Sequence, residues 1–410
     1  MPTIVYLANQ FPSPVEPYVA DEIAELRRRG CNVLACSARR PSSPIAEELR
    51  PLVASTLYLQ PARLSLALRA GHLCCSRSLQ GLMAHILRGS ESVSAKVRAL
   101  AHTWLGACLA LQLEGRGVQH LHVHHGYFAS WVGMAAARLL GASFSFTLHG
   151  SDLLLHRRFF EIKLRECKFC FTVSGFNRRF ILENYPQLDP QKIFVRRLGV
   201  EIPPRPANQP VLNSPKLTLL AAGRLHAVKD HAFLIQACRK LKERNVNFVG
   251  LIAGDGPERN RLQRTIGQLG LARDVVLLGH LSRRQLDHYY ALCDVVVLTS
   301  RSEGIPQVLM EAMAREKCVL APAITGIPEL VEDGRTGFLY QPGCLADFVA
   351  KIEFIRDHEP LIGSLRRAAR QKIFQDFNRD KNLAAFANFF LNLISLPEEK
   401  RCEDSLLQQI

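Results

Sequence analysis

A chain of 410 residues that is 48% hydrophobic, with 52 Lys and Arg against 37 Asp and Glu and a formal net charge of +15, is too apolar to be a disordered polyelectrolyte. It is also too long for one hydrophobic core, so two domains of about 200 residues each are expected. The positive charge invites nucleic-acid, anionic-membrane or phosphate-bearing partners and says nothing of fold. Twelve Cys are too sparse for a disulfide scaffold. The pairs Cys74-Cys75 and Cys167-x-x-Cys170 lack a second pair at zinc-type spacing, which points to a reducing compartment. The opening MPTIVYLANQFPSP has no basic region followed by an apolar one. No apolar run reaches about 18 residues without a charge or His, so a cytoplasmic chain without a membrane span is expected.

Short β-rich apolar runs alternate with helical patterns along the chain. The predicted strands are Thr3–Ala8, Asn32–Cys36, His120–His124, Ser143–Leu148, Phe169–Val173, Ile193–Arg196, Leu217–Ala222, Asn247–Ala253, Val275–Leu278, Val295–Leu298 and Cys318–Ala321. Between them, segments such as Val19–Arg29, Phe233–Arg244 and Gln285–Leu292 carry apolar residues at helical spacing. This alternation predicts parallel sheets with crossover helices, whose ligands bind at the carboxyl ends of the strands. The Pro-rich stretch from Ile202 to Pro215 reads as an interdomain linker. After it the alternation resumes to about residue 375, and an amphipathic segment follows near Arg379–Ile394. The expected domains are residues 1–205 with the terminal segment 376–410, a linker at 206–215, and residues 216–375.

The strongest motif runs from Ser302 to Ala314, directly after a buried-strand pattern. Pro306 suits the first helical position, so Gly304, Ile305, Pro306 and Gln307 form a loop opening into a helix start, where an anion is favoured. Glu303 precedes the helix and Glu311 lies inside it; carboxylates at this spacing suit the hydroxyls of a sugar or ribose. The structural alternative is a helix-start Glu plus a solvated one. A second motif, Gly223-Arg224 with Lys229, follows the strand Leu217–Ala222. Two cations there suit a diphosphate, each charge-assisted bond contributing about 1.5–3 kcal/mol; a solvated basic loop is the alternative. A third, Gly254-Asp255-Gly256-Pro257, allows close backbone approach or is a plain turn.

In the first half, His149 ends a strand, and Asp152 caps the next helix or orients the imidazole. A purely structural His is the alternative. His120, His122 and His124 share one strand face, and three collinear imidazoles cannot converge on a metal ion, so no metal site is expected.

Taken together these residues resemble the family 4 retaining glycosyltransferases of GT-B fold. Glu303 and Glu311 are similar to the family's E-x7-E signature, Arg224 and Lys229 to its GR…K pair, Gly254–Pro257 to its GDGP loop, and Gly326–Glu329 to its GIPE segment. Phe11-Pro12, His124-His125, Phe146–Asp152, Thr172–Phe176 and Gly199–Glu201 resemble the exopolysaccharide and colanic-acid branch. The resemblance implies two Rossmann-like parallel-sheet domains facing across a cleft, with a C-terminal helix crossing back to the N-terminal domain. It implies a hexosyltransferase that moves a sugar from a UDP-, GDP- or ADP-sugar to a glycan or polyprenyl-linked acceptor with retention. By the same resemblance Arg224 and Lys229 neutralise the diphosphate, and Glu311 bonds the ribose. Glu303 with Gly304–Gln307 holds the sugar and phosphate, Gly223 and Gly254 line the donor site, and His149 sits beside the transferred sugar. No cofactor is expected, and no Asp-x-Asp pair for a metal is present.

Three departures stand out. The family usually has Lys-Gly where this chain has Lys229-Asp230, Gly-Gly where it has Thr325-Gly326, and often a Gly-rich loop where it has Asn9-Gln10-Phe11-Pro12. Two other readings are a nucleotide-sugar epimerase and a non-catalytic sugar- or nucleic-acid-binding protein. No RRM, KH or zinc-finger pattern supports nucleic acid as a partner. Within residues 50–113, Arg50, Arg63, Arg69, Arg77, Arg88, Lys96 and Arg98 stand against Glu91 alone, mixed with apolar residues. That segment is expected either to rest on the anionic cytoplasmic leaflet or to form solvated helix faces.

Overall fold

The computed structural model describes residues 2–13, 16–41, 47–60, 64–89, 91–154, 159–205 and 216–396. The expected linker 206–215, Arg63 and the terminal residues 397–410 lie outside the described residues. The chain divides into two compact units, one of Met1–Arg196 with Leu383–Ile410 and one of Arg197–Asn382.

The first unit carries β1 Thr3–Gln10, β2 Asn32–Arg39, β3 Leu57–Tyr58, β4 Val118–His124, β5 Ser143–Leu148, β6 Phe169–Thr172 and β7 Ile193–Val195. They form one parallel sheet in the order β3-β2-β1-β4-β5-β6-β7. β1 is almost entirely buried, and its side chains alternate between two cores. Val5 and Leu7 join Leu121, Val123, Trp131 and Val132 on one face, while Ile4, Tyr6 and Ala8 face the other. The helix Arg379–Ser395 covers that second face with Leu383, Phe386, Phe389, Phe390 and Leu393. The Phe spacing of i, i+3 and i+4 is what an amphipathic helix needs. Fully buried Phe390 contributes roughly 2–3 kcal/mol of apolar burial.

The second unit holds β8 Leu217–Ala222, β9 Phe248–Ala253, β10 Val275–Gly279, β11 Val295–Val297, β12 Cys318–Pro322 and β13 Phe338–Tyr340. Their order, β10-β9-β8-β11-β12-β13, repeats the first sheet's order. In each sheet the first strand has neighbours that continue in opposite directions, β1 between β2 and β4, and β8 between β9 and β11. These topological switch points are where open α/β sheets leave a crevice for ligands.

The predicted strands are all present to within a few residues. β3 and β13, two and three residues long, were not expected; strands that short carry too few alternations to register as a period. Pro306 sits one place earlier than expected. Its ψ of 119° is extended, so it caps the helix Gln307–Ala314 and Gln307 takes the first helical position. The cysteines of the described residues are free.

Candidate functional site

The loops after β8 and β11 meet at the switch point of the second sheet. Lys229 Nζ donates to Glu303 Oε1 at 2.5 Å. Two bonds beneath this pair join the same loops: Thr299 Oγ1 donates to the Lys229 carbonyl at 2.9 Å, and the Arg301 amide to the Val228 carbonyl at 2.8 Å. Arg224 stands exposed on the β8 loop. A carboxylate and an ammonium fixed together at a sheet's carboxyl edge can hold a diphosphate and the hydroxyls of its sugar at once.

Backbone packing brings the neighbouring loops into the same place. Gly254, at φ 144°, lies so close to the β8 loop that a Cβ would stand 1.9 Å from the Gly223 carbonyl oxygen. A Cβ on Gly326 would stand 2.2 Å from the carbonyl oxygen of Gly304. Only glycine permits either approach. Gly304, Ile305 and Pro306 are buried, and Gln307 opens the helix that follows. The first N–H groups of any α-helix lack intrahelical acceptors, so the loop bearing Glu303 runs into a helix end suited to negative charge.

Two of the three departures from the family pattern share one conformation. Asp230 and Thr325 both have φ of 46°, the left-handed region that glycine enters without cost. Each side chain adds bonds that a glycine cannot. Asp230 caps the helix His231–Glu243 and accepts from Arg301 Nε at 2.7 Å. Thr325 Oγ1 donates to the Glu303 carbonyl at 2.6 Å. Both bonds tie down the loop that bears Glu303.

Glu311 lies deeper. Burial raises its pKa, opposed by the Tyr290 hydroxyl, which donates to Oε2 at 3.0 Å, and by Arg315. Arg315 packs over the Tyr290 ring at 5.1 Å and pairs with Asp287 at 2.5 Å. His231, which no motif marks, is buried at the start of its helix. Burial and then the Lys229 charge push its pKa down to about 4, so it adds no charge at neutral pH.

In the first unit, His149 follows β5 and lies within a cluster of rings. Tyr18 stacks on it with centroids 4.7 Å apart, and His149 Nε2 is 3.1 Å from His124 Nδ1. Burial drives its pKa well down, with the His125 charge adding to that effect. Asp152 does cap the turn, accepting from the amides of His149, Gly150 and Leu153 at 3.0, 2.9 and 3.0 Å. The imidazole that it faces is His125, at 3.4 Å, and not that of His149. Burial opposes charge on His125, but Asp152 and Glu16 hold its pKa up at about 10.

Three polar residues at the floor of this cluster escape the motifs. Glu22, on the helix Pro17–Arg28, accepts from Tyr6 OH at 3.1 Å, meets His124 Nε2 at 3.1 Å and forms an ion pair with Arg196. Burial alone would raise its pKa; Arg196 and His124 bring it to about 2. The signal for Glu22 was its spacing, since it shares a helix face with buried Val19, Ile23 and Leu26. The helix thereby brings Glu22 within 4.8 Å of His122 and His124, a convergence that one strand cannot make by itself. The set does not fit a metal ion well: Arg196 occupies the carboxylate, and His122 already bonds Ser145 at 2.7 Å and Thr147 at 3.0 Å.

Comparison with known proteins gives the family. Residues 15–202 match the family described as Glycosyltransferase Family 4, and residues 205–372 match Glycosyl transferases group 1. A putative colanic acid biosynthesis glycosyltransferase of Salmonella typhimurium is 35% identical over 198 residues, covering 46% of this chain and 48% of that protein. The chain thus spans about half the length of the curated relatives it matches. Among solved structures, a glycosyltransferase from Rickettsia africae superposes with a TM-score of 0.71 at 20% identity, over 97% of this chain and 99% of that one. Anabaena HepE, solved with UDP and glucose, gives a TM-score of 0.70 at 19% identity, over 96% of this chain and 100% of that one. With both halves matched and two Rossmann-like parallel sheets of GT-B type, the chain belongs to the family 4 glycosyltransferases.

Proposed function

We propose that this protein transfers a sugar from a nucleotide-diphosphate sugar to a glycan or lipid-linked acceptor, with retention of configuration, in exopolysaccharide or lipopolysaccharide assembly. The observation that carries this reading is the Lys229 to Glu303 contact at the β8/β11 switch point, framed by glycine-dependent loop packing. Lys229 and Arg224 stabilise the charge that develops on the departing diphosphate, which takes the acceptor proton. Glu303 and the Gly304–Gln307 segment orient the sugar, Gly223 and Gly254 let the phosphates approach the backbone, and Glu311 accepts from the ribose. His149 is assigned to the transferred sugar on the family resemblance. The residues suffice for this chemistry without a cofactor or metal ion. The name of the Salmonella relative supports the glycan-assembly context.

The acceptor reading extends to a membrane surface. No helix among the described residues is long and apolar enough to cross a membrane. The helices Leu64–Leu73, Arg77–Arg88 and Val93–Leu113 nonetheless expose Leu64, Leu68, Leu87, Val93 and Val97. Leu64 with Leu68, and Val93 with Val97, are i,i+4 pairs on single helix faces. Exposed Arg50, Arg69, Arg77, Arg88 and Arg98 lie in the same segment. Apolar side chains among cations fit a peripheral position on an anionic cytoplasmic leaflet. A thermal-shift and nucleotide-release screen of UDP-, GDP- and ADP-sugars, with and without a polyprenyl-linked acceptor, tests the function. One donor class should stabilise the protein and release its nucleotide only with acceptor; stabilisation by none contradicts the reading.

A further inference from the structure

Among the described residues, Glu22 is bonded by the Tyr6 hydroxyl and Arg196, both donors, and by the Nε2 side of His124. An ionised carboxylate can only accept, so the proton between Glu22 and His124 belongs to His124 Nε2. A neutral imidazole protonated at Nε2 keeps its lone pair at Nδ1. His124 therefore presents a lone pair at Nδ1, and that atom lies 3.1 Å from His149 Nε2. The bond forms only if His149 carries its own proton on Nε2. His149 Nδ1 is then the atom with a free lone pair, and no described residue hydrogen-bonds to it. Tyr18 stacks on the His149 ring and restrains its orientation.

We propose that Glu22, acting through His124, fixes His149 as the Nε2-protonated tautomer and so presents Nδ1 as the acceptor for a substrate hydroxyl. Glu22 and His124 are positioning residues; they hold the direction of a hydrogen-bond chain that ends at the substrate. The chain is directional because its buried end can only accept. Had position 22 been a carboxamide, its NH2 could donate to His124 Nε2 while its oxygen kept the Arg196 and Tyr6 bonds, and every proton in the chain would reverse. The tautomer rests on this hydrogen-bond chain, whereas the role of Nδ1 rests on the transferase reading.

Long-range 1H–15N correlation on the full chain labelled with 15N-His separates the two. The His149 signals are assigned by their loss in His149→Gln. In the wild type the unprotonated nitrogen of His149 should be Nδ1, and in Glu22→Gln it should move to Nε2. Protonated Nδ1 in the wild type overturns the proposal without reference to any variant. So does an unchanged tautomer in a Glu22→Gln protein whose circular dichroism is native. In the same variant kcat should fall about tenfold, the effect of one misdirected hydrogen bond, while nucleoside diphosphate affinity stays within about twofold. A raised KM for the sugar donor assigns the hydroxyl to the transferred sugar, and a raised KM for the acceptor assigns it there. A swapped tautomer with wild-type kinetics removes the substrate contact. If no donor is turned over although the tautomer is as stated, the transferase reading fails and the positioning chain remains.

Discussion

Lys229 and Glu303 are 74 positions apart in sequence, yet their side chains meet at 2.5 Å where β8 and β11 end. The pair is mostly shielded, with side-chain exposures of 20% and 12%. A diphosphate arriving at Lys229 must therefore share its ammonium with a carboxylate already in place.

Competition of this kind predicts opposite effects on binding and on transfer. Glu303→Gln removes the competing charge, so the free nucleoside diphosphate should bind more tightly, by about fivefold if the lost contact is worth about 1 kcal/mol. Transfer should fall, because the sugar loses its carboxylate acceptor. Calorimetric titration beside a steady-state assay reads both; weaker diphosphate binding would show that Lys229 does not contact it.

The left-handed backbone at Thr325 gives a second prediction. A β-branched residue at φ 46° is strained by about 1–3 kcal/mol. Its hydroxyl in return fixes the Glu303 carbonyl at 2.6 Å. Thr325→Gly should leave the thermal midpoint nearly unchanged and lower kcat. Gly326→Ala drives a Cβ into the Gly304 carbonyl, and should destabilise the protein and abolish donor binding. Gly267→Ala, near the end of a helix where a Cβ meets nothing within 4 Å, should stabilise it by about 0.5–1 kcal/mol. Urea titration of the three variants orders them.

Stability in acid should track Glu22. Its folded pKa of about 2 lies below the ordinary 4.5. The stabilisation is thus complete above pH 4.5 and is lost as pH falls through about 2. At about 1.4 kcal/mol per pH unit that window holds roughly 3 kcal/mol. Glu22→Gln should be less stable at pH 7 and show a flatter decline below pH 4.5. An unchanged acid limb in urea midpoints would mean that Glu22 is not ionised in the folded protein. His125 acts at the other end: its stabilisation is complete below pH 6.5 and is lost as pH rises through about 10.

The sequence made the strand–helix alternation and the second unit's motifs legible because each motif is contiguous and directly follows a strand. Glu303, Lys229 and the glycines could be singled out because they sit on loops that directly follow strands, and Glu311 because it shares one contiguous motif with Glu303. What escaped were contacts made by topology. Glu22 reaches His124 across 102 positions and Arg196 across 174, and their junction depends on strand order that no local period reveals. Asp152 was correctly placed as a cap, but its choice of His125 over His149 depends on β4 lying beside β5.

Membrane attachment should depend on the exposed leucines and arginines of the first unit. On vesicles rich in anionic lipid the protein should sediment more strongly than on neutral ones, each Arg near the surface adding up to about 1 kcal/mol. Leu64→Ser with Leu68→Ser and Arg77→Glu should largely abolish the difference. Equal partitioning of wild type on both vesicle types would discard the membrane role.

The rate and stereochemistry of sugar transfer in Lys229→Ala and Glu311→Ala, beside the wild type, test the central claim most directly. With its preferred nucleotide sugar the wild type should give a product of the donor's anomeric configuration by NMR. Each variant should retain its fold and lose at least about a hundredfold in kcat/KM, as removal of a single stabilising group at such a site does. Wild-type rates in either folded variant, or a product of inverted configuration, would contradict the account.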